Sequence, residues 1–441
     1  FKLKLRLAYE PDETEADMLQ LLAVALAEWE AGRGQLGGNV SRGLGRFKLK
    51  NLTYKETKLD TGDDLVAYLK APNRAAVAQS ISKWPGDLLT AARNRKLVNR
   101  DKNGRSQSIA GGFITVKFNL QFTDLFLQHD PLVALLSGFD HAPLIENLTD
   151  DGLGKPLLGG SSIRGVLRSQ SGKIIRTLYT DHCLKISKAN AGENFKENCP
   201  SCSVLEDDAL EPIASCTSRI KQDDQVQHYE WAEEDFCLTC QLFGNQERGS
   251  RLWVQDAHWL PNEQISWQAQ DFLAIDRFTG GGLDGAKFDA APLTQAKFRA
   301  AITLNDPTAW ELGLLALLLR DLAEKRITVG FGAAKGYGRF QATNFNWEIG
   351  FITDSDLKEA GNALFPTLKD PVESGLYNLC THKAPDWLPD GWAQDAQRWV
   401  DTFNQTIKDF HRSSNLDELQ ADTFFGTPVA DLYGRSRTEV K

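Results

Sequence analysis

The chain has 441 residues, with 50 Lys+Arg against 59 Asp+Glu and a formal charge of −9. That length allows two or three domains, and the 41% hydrophobic and 25% charged fractions exclude global disorder. An acidic total also excludes a protein that coats nucleic acid indiscriminately, which needs a net positive face, but it leaves room for a local basic channel.

Phe1-Lys-Leu-Lys-Leu-Arg alternates apolar and basic residues and reads as a strand, not a signal peptide. Met18 is the sole methionine and falls inside a helical pattern over about 15–30, so the sequence is expected to be a piece of a longer chain. A glycine-rich segment (37–47) and a strand (46–53) follow. Residues 54–110 read as a linker with a helix pair over 62–95 and a polar, basic connector, RNRKLVNRDKNGRSQS. A strand over 113–121 precedes GGSSIRG, which opens a helix, and then a polar insertion. A strand (297–304), an apolar helix (309–325), a second glycine-rich segment (330–340) and another strand (338–346) come next. The tail carries Trp387, Trp392 and Trp399 at near-helical spacing over 385–411, the pattern of a packing face. The most apolar stretch, Leu312 to Leu319, is flanked by Glu311 and Arg320 and is too short to cross a bilayer, so no membrane partner is expected.

The two glycine-rich segments are copies. GGNVSRGLGRF (37–47) and GFGAAKGYGRF (330–340) share Gly, Gly, Gly, Arg and Phe in register at an offset of 293, Gly330 against Gly37, with Lys335 opposite Arg42. Each follows a strand, a proline turn (Pro11 or Pro307) and an apolar helix. A unit of strand, helix, glycine loop and strand therefore occurs twice, and the first copy has nothing upstream to match the partner from residue 111 onward. A tandem pair whose first member lacks its N-terminal half is expected.

The positive charge is gathered in three segments without acidic residues: 31–54 (Arg33, Arg42, Arg46, Lys48, Lys50), 152–180 (Lys155, Arg164, Arg168, Lys173, Arg176) and 325–347 (Lys325, Arg326, Lys335, Arg339). All three are glycine-rich. Glycine lets backbone amides approach a phosphate, and serine hydroxyls add donors. Gly159-Gly160-Ser161-Ser162 directly precedes a helix with Arg164 and Arg168 near one face, so exposed amides at a helix N-terminus beside a basic turn suit a phosphodiester. No GK[ST] and no GxGxxG after a strand is present, so a polymeric phosphate backbone fits better than a nucleotide cofactor. A solvated turn is the ordinary reading of any one such loop.

Seven cysteines with no secretion signal argue for thiols in a reducing cytoplasm. Cys199-Pro-Ser-Cys202 and Cys237-Leu-Thr-Cys240 are two CxxC pairs, and four thiolates (Cys199, Cys202, Cys237, Cys240) would close a tetrahedral structural zinc site. Such a site would staple the apolar-poor insertion 181–241, with His182, Cys183 or Cys216 as possible substitutes for one ligand.

GGSSIRGVLR opening a helix, CLTCQLFGN before a strand, DRFTGGGLDGAKFD (276–289) and the closing GFGAAKGYGR together resemble the RAMP proteins that form the backbone of type III CRISPR effector complexes. The resemblance implies an α+β chain of ferredoxin-like, RNA-recognition-type domains with insertions, one of them zinc-binding. Residues 1–53 would be the closing half of a first domain, 54–110 a linker, 111–348 a complete second domain, and 349–441 a helical extension. It implies that Arg42, Arg46, Lys155, Ser161, Ser162, Arg164, Arg168, Lys335 and Arg339 grip guide RNA (crRNA), with base pairing selecting the target RNA. Asp140 holds the place of the family's cutting aspartate, which would assist 2′-OH attack with a divalent cation, Mg2+. Asp276, Arg277 and Phe278 fall in the family's thumb, a hairpin that wedges into the guide–target duplex, with Phe278 and Leu283 as apolar wedges. His141, Asp150 and Asp151 are weaker candidates for catalysis. The partners implied are guide RNA, target RNA and the other subunits of the complex. A non-catalytic scaffold, a segment of a larger single-chain effector and a guide-precursor endonuclease are the alternatives. An isolated loop aspartate is ordinarily a turn or cap residue.

Overall fold

The computed structural model describes residues 15–50, 54–56, 61–70, 79–81, 112–146, 154–186, 198–202, 215–217, 236–246, 248–352, 364–365, 368 and 370–410. The N-terminal part contains helix α1 (Glu15–Glu30), the short pair β1 (Gly34–Gln35) and β2 (Arg46–Phe47), then β3 (Tyr54–Glu56), α2 (Gly62–Lys70) and β4 (Gln79–Ile81). Of the helix pair expected over 62–95, the described residues hold α2 and a strand, β4, that pairs with β3; the rest of that stretch lies outside the described residues. The strand expected over 1–9, the basic connector, and Asp150 and Asp151 lie outside the described residues.

From residue 112 the chain builds one antiparallel sheet. In β5 (Phe113–Phe122) Ile114, Val116, Phe118, Leu120 and Phe122 are buried, while Lys117, Asn119 and Gln121 alternate onto the more open face. The chain continues through α3 (Pro131–Ser137), β6 (Ile145–Glu146), β7 (Lys155–Leu158), α4 (Gly160–Ile186), α5 (Leu238–Phe243), β8 (Leu252–Val254), β9 (Ala257–Trp259), β10 (Gln270–Ile275), β11 (Gly282–Ala290) and β12 (Lys297–Asn305). It ends in α6 (Ala309–Ala323), β13 (Phe340–Phe351), β14 (Val372–Ser374), β15 (Tyr377–Ala384) and α7 (Ala393–Asp409). The sheet runs β14-β15-β13-β5-β12-β9-β7-β6, with β8 also on β12, and β10 and β11 form a separate ribbon.

In β13 the buried residues change parity, from Phe340 and Ala342 to Phe345, Trp347 and Ile349. A bulge between Thr343 and Asn346, with Asn344 at φ 55°, inserts the extra residue and keeps both sets on the core side. Helices α4, α6 and α7 supply core residues to the same buried cluster. A capping box starts α6: the side chains of Thr308 and Glu311 reciprocally satisfy the first-turn amides. Gly313 lets α7 approach, because a Cβ there would collide with the Trp399 carbonyl oxygen. The tail over 349–441 accordingly contributes two strands as well as a helix.

The duplicated loops are duplicated in shape. Val40–Arg42 and Ala333–Lys335 each form a 3-10 turn, and the paired positions Gly37/Gly330, Gly43/Gly336 and Gly45/Gly338 have φ 93°/97°, 92°/88° and 75°/75°. Leu36 N donates to Gly45 O at 2.9 Å, as Val329 N does to Gly338 O at 3.1 Å. A Cβ at Gly45 or Gly338 would strike the carbonyl oxygen of Leu36 or Val329, so glycine is required in both copies. Arg33 ties the N-terminal part to the sheet: it donates to Ser374 O at 2.7 Å and lies 5.7 Å from the Phe113 ring and 5.3 Å from Tyr377.

Candidate nucleic-acid interface

The first glycine loop packs where β8 and β9 meet the start of α4: ideal Cβ atoms on Gly43 and Gly160 would overlap Asp256 N and Arg42 O. Between loop, helix and α5 lies a cavity of about 740 Å3, lined among others by Asn39, Arg42, Arg164, Arg168, Arg248 and Trp253. Arg42 is exposed at its rim. Burial, with Arg168 and Arg42 nearby, lowers the pKa of Arg164 to about 10, so it keeps its charge at neutral pH.

Arg164 and Arg168 are not free to face RNA alone. Arg164 donates to Phe243 O, and Arg168 donates to Gly244 O at 2.6 Å and to Cys240 Sγ at 3.3 Å. Two guanidinium groups thus satisfy the carbonyls at the C-terminus of α5, where positive charge is favoured. Two turns further along α4, Arg176 donates to Cys202 O at 2.8 Å.

The helix N-terminus differs from the expectation of open amides. Gly159 N donates to Gln128 Oε1 at 2.8 Å, Gly160 N to Asp256 Oδ1 at 2.7 Å, and Ser162 N to Gly159 O at 3.0 Å. These donors are already satisfied, and a carboxylate occupies the place assigned to phosphate. Ser161 is exposed, Ser162 half-buried, and Lys155 exposed at the start of β7. In the second loop the exposed Lys335 has its ammonium 4.4 Å from the Phe288 ring centroid, 4.6 Å from Phe272 and 5.3 Å from Phe331, in cation–π contact with all three rings. Arg339 is exposed, and Arg46, whose pKa burial lowers, donates to Gly32 O at 2.9 Å.

Four buried thiols, Cys202, Cys216, Cys237 and Cys240, lie within 4.8 Å of one another. The set inferred from the two CxxC pairs is altered in one member. Cys216 takes the fourth place, and the Cys199 thiol is also buried but donates to Ser201 O at 3.4 Å. Cys237 caps α5 and Cys240 stands one turn on, so the short helix presents both to one point. Hydrogen bonding with Cys216 lowers the pKa of Cys202, whereas Cys202 raises those of Cys216 and Cys240. Deprotonated, this four-sulfur set can hold a divalent cation, and with Arg168 on Cys240 it suits zinc. Cys216, one of the three substitutes the sequence offered, stands in no CxxC pair, so spacing alone ranks it below Cys199. His182 and Cys183 lie on α4 outside the cluster.

Asp140 is exposed just after α3, in a loop laid against the base of the β10–β11 ribbon. Its amide donates to Asp289 Oδ1 at 2.7 Å, and Asp289 N donates to Asp140 Oδ2 at 2.9 Å. His141 pairs in parallel with Ala290, and its ring meets His129 edge-on (centroids 4.8 Å apart) and lies tilted against Phe331 (4.6 Å). Burial and His129 lower its pKa. Asp276, Arg277 and Phe278 form the ribbon tip, where Asp276 Oδ1 accepts from Phe278 N at 2.6 Å and Phe278 is 99% exposed. Asp289 was absent from the sequence-derived site, since nothing local pairs it with a residue so far upstream.

An antiparallel sheet backed by helices, a buried cysteine cluster able to hold a metal, and a cavity lined by arginine define the class: an α+β protein with an arginine-lined cavity. Residues 136–341 match the family model of the RAMP superfamily, which supports a RAMP protein. That superfamily is associated with CRISPR-Cas complexes that bind RNA and includes some RNases. No curated protein matches the chain. Among the described residues no helix is long and apolar enough to cross a membrane.

Proposed function

We propose that this chain is a backbone subunit of a type III CRISPR ribonucleoprotein that holds guide RNA and cuts the paired target RNA. The observation that carries the reading is the arginine-lined cavity between the first glycine loop and α4, within a chain whose residues 136–341 match the RAMP superfamily. Arginine there neutralises backbone phosphates without reading sequence, so selection falls to base pairing.

The element order β5-α4-β8-β12-α6-β13 and the sheet order β13-β5-β12-β8 support a ferredoxin-like domain over 111–348. The duplicated loop supports a partial copy in 1–53, joined by 54–110, with 349–441 as an extension. Guide RNA, target RNA and neighbouring subunits are the partners, in the cytoplasm, with zinc held by Cys202, Cys216, Cys237 and Cys240.

In the cutting step the target 2′-oxygen attacks the adjacent phosphorus. The O2′–P bond forms and the P–O5′ bond breaks, giving a 2′,3′-cyclic phosphate and a 5′-hydroxyl. Asp140 takes the 2′-proton, and water protonates the departing oxygen. The Asp140 carboxylate suits Mg2+, which would neutralise charge on the phosphate. Asp140→Ala complexes assembled with guide RNA test the reading: loss of target cleavage with guide affinity retained supports it. Unchanged cleavage would favour the scaffold alternative, for which the capture of Asp140 Oδ2 by Asp289 N is the supporting contact.

A further inference from the structure

Two strands of contact sew the Asp140 loop to the ribbon. Beyond the reciprocal bonds between Asp140 and Asp289, His141 N donates to Asp289 O at 3.2 Å and Ala291 N donates to His141 O at 2.9 Å. The Oδ1 atom of Asp140 has no hydrogen-bond partner among the described residues, so one carboxylate oxygen is held while the other is presented outward. Asp289 lies near the base of β11, and the same strand leads to the tip that carries Phe278. From Asp289 to Gly282 a strand rise of about 3.4 Å per residue gives roughly 24 Å.

We propose that Asp289 is a positioning residue for Asp140. It fixes the direction of the Asp140 carboxylate and makes the loop and the ribbon one rigid piece, so that the point of cutting keeps a constant distance from the ribbon tip. The inference rests on the reading of Asp140 as the cutting residue. Its chemistry is specific: the Asp289 carboxylate accepts the Asp140 amide, and the Asp289 amide orients Oδ2. An amide side chain retains the acceptor, a methyl group removes it, and a longer acid displaces it by about 1.5 Å.

The test uses the full chain assembled with guide RNA and a target complementary along its length. Wild type, Asp140→Ala, Asp289→Ala, Asp289→Asn and Asp289→Glu are compared for guide affinity, cleavage rate and cleavage position. Asp289→Ala is expected to keep guide affinity but to lose about 100-fold in rate, with cuts spread over neighbouring phosphodiesters, the size of loss that a misplacement of about 1 Å produces. Asp289→Asn is expected to restore a single position at near wild-type rate. If the alanine variant does not fold, Asp289→Glu keeps the charge and carries the same expectation of slower, displaced cutting. Wild-type rate and position in the alanine variant, or in the glutamate variant should alanine not fold, with Asp140→Ala inactive, overturns the role of Asp289 alone. Wild-type cutting by Asp140→Ala overturns the reading on which it rests, and this proposal with it.

Discussion

The Arg168 guanidinium donates at once to Gly244 O at 2.6 Å and to Cys240 Sγ at 3.3 Å, joining the wall of the arginine cavity to the thiol cluster. A hydrogen bond to a ligating sulfur tunes metal affinity, and the carbonyl bond sets the side chain's direction into the groove. Thiol cluster and groove are therefore coupled through one residue. Arg168→Met is expected to weaken zinc affinity by about tenfold, measured by competition with a chromophoric chelator.

The identity of the fourth thiol makes a sharper test. Cys216→Ser should lose bound zinc and unfold at lower temperature, whereas Cys199→Ser should keep both metal content and stability. Elemental analysis with thermal unfolding separates the two, and zinc loss in Cys199→Ser alone would restore the paired-CxxC assignment.

Arg42 is the exposed arginine of the cavity rim and is held by no acidic partner in the first glycine loop. Arg42→Ala is expected to weaken RNA binding equally for all sequences and to lower the slope of log affinity against log salt by about 0.7. An effect that varies with base identity, or an unchanged slope, counts against a phosphate contact.

Phe278 buries almost nothing, so Phe278→Ala should leave stability within about 0.5 kcal/mol. If the ribbon wedges into the guide–target duplex, the same variant alters the efficiency or position of target cleavage. Cleavage identical to wild type would reduce the tip to an ordinary turn.

Gly313 sits where α6 meets the backbone of Trp399 and the Cβ of Phe403. Gly313→Ala should cost about 2–3 kcal/mol through overpacking, despite alanine's better helix propensity. Denaturant unfolding measures it, and stabilisation would mean that α7 yields.

Burial lowers the pKa of His382, which lies 5.0 Å from the Trp392 ring. The unfolded state then binds more protons below its ordinary value near 6.5. Stability should fall as pH drops from about 6.5 towards the depressed native value, and His382→Leu should flatten that part of the profile.

Much of the fold is local in origin and legible from residue order. The duplicated glycine loops require left-handed backbone at fixed positions, and a Cβ on Gly45 or Gly338 would meet a carbonyl only nine residues back. The alternation of β5 and the Thr308–Glu311 capping box depend on neighbours a few positions away. Side-chain partners at long range are another matter. Asp140 and Asp289 stand 149 residues apart, Arg168 and Cys240 stand 72 apart, and Asp256 caps α4 across 96. Residue order determined the repeat, the helices, the buried faces and where positive charge gathers, because each follows from periodicity and backbone sterics. Only the tertiary structure decided that the α4 arginines grip α5, that Cys216 completes the thiol cluster and that Asp289 holds Asp140. Those contacts exist because the sheet brings distant strands side by side, and no local preference encodes that order.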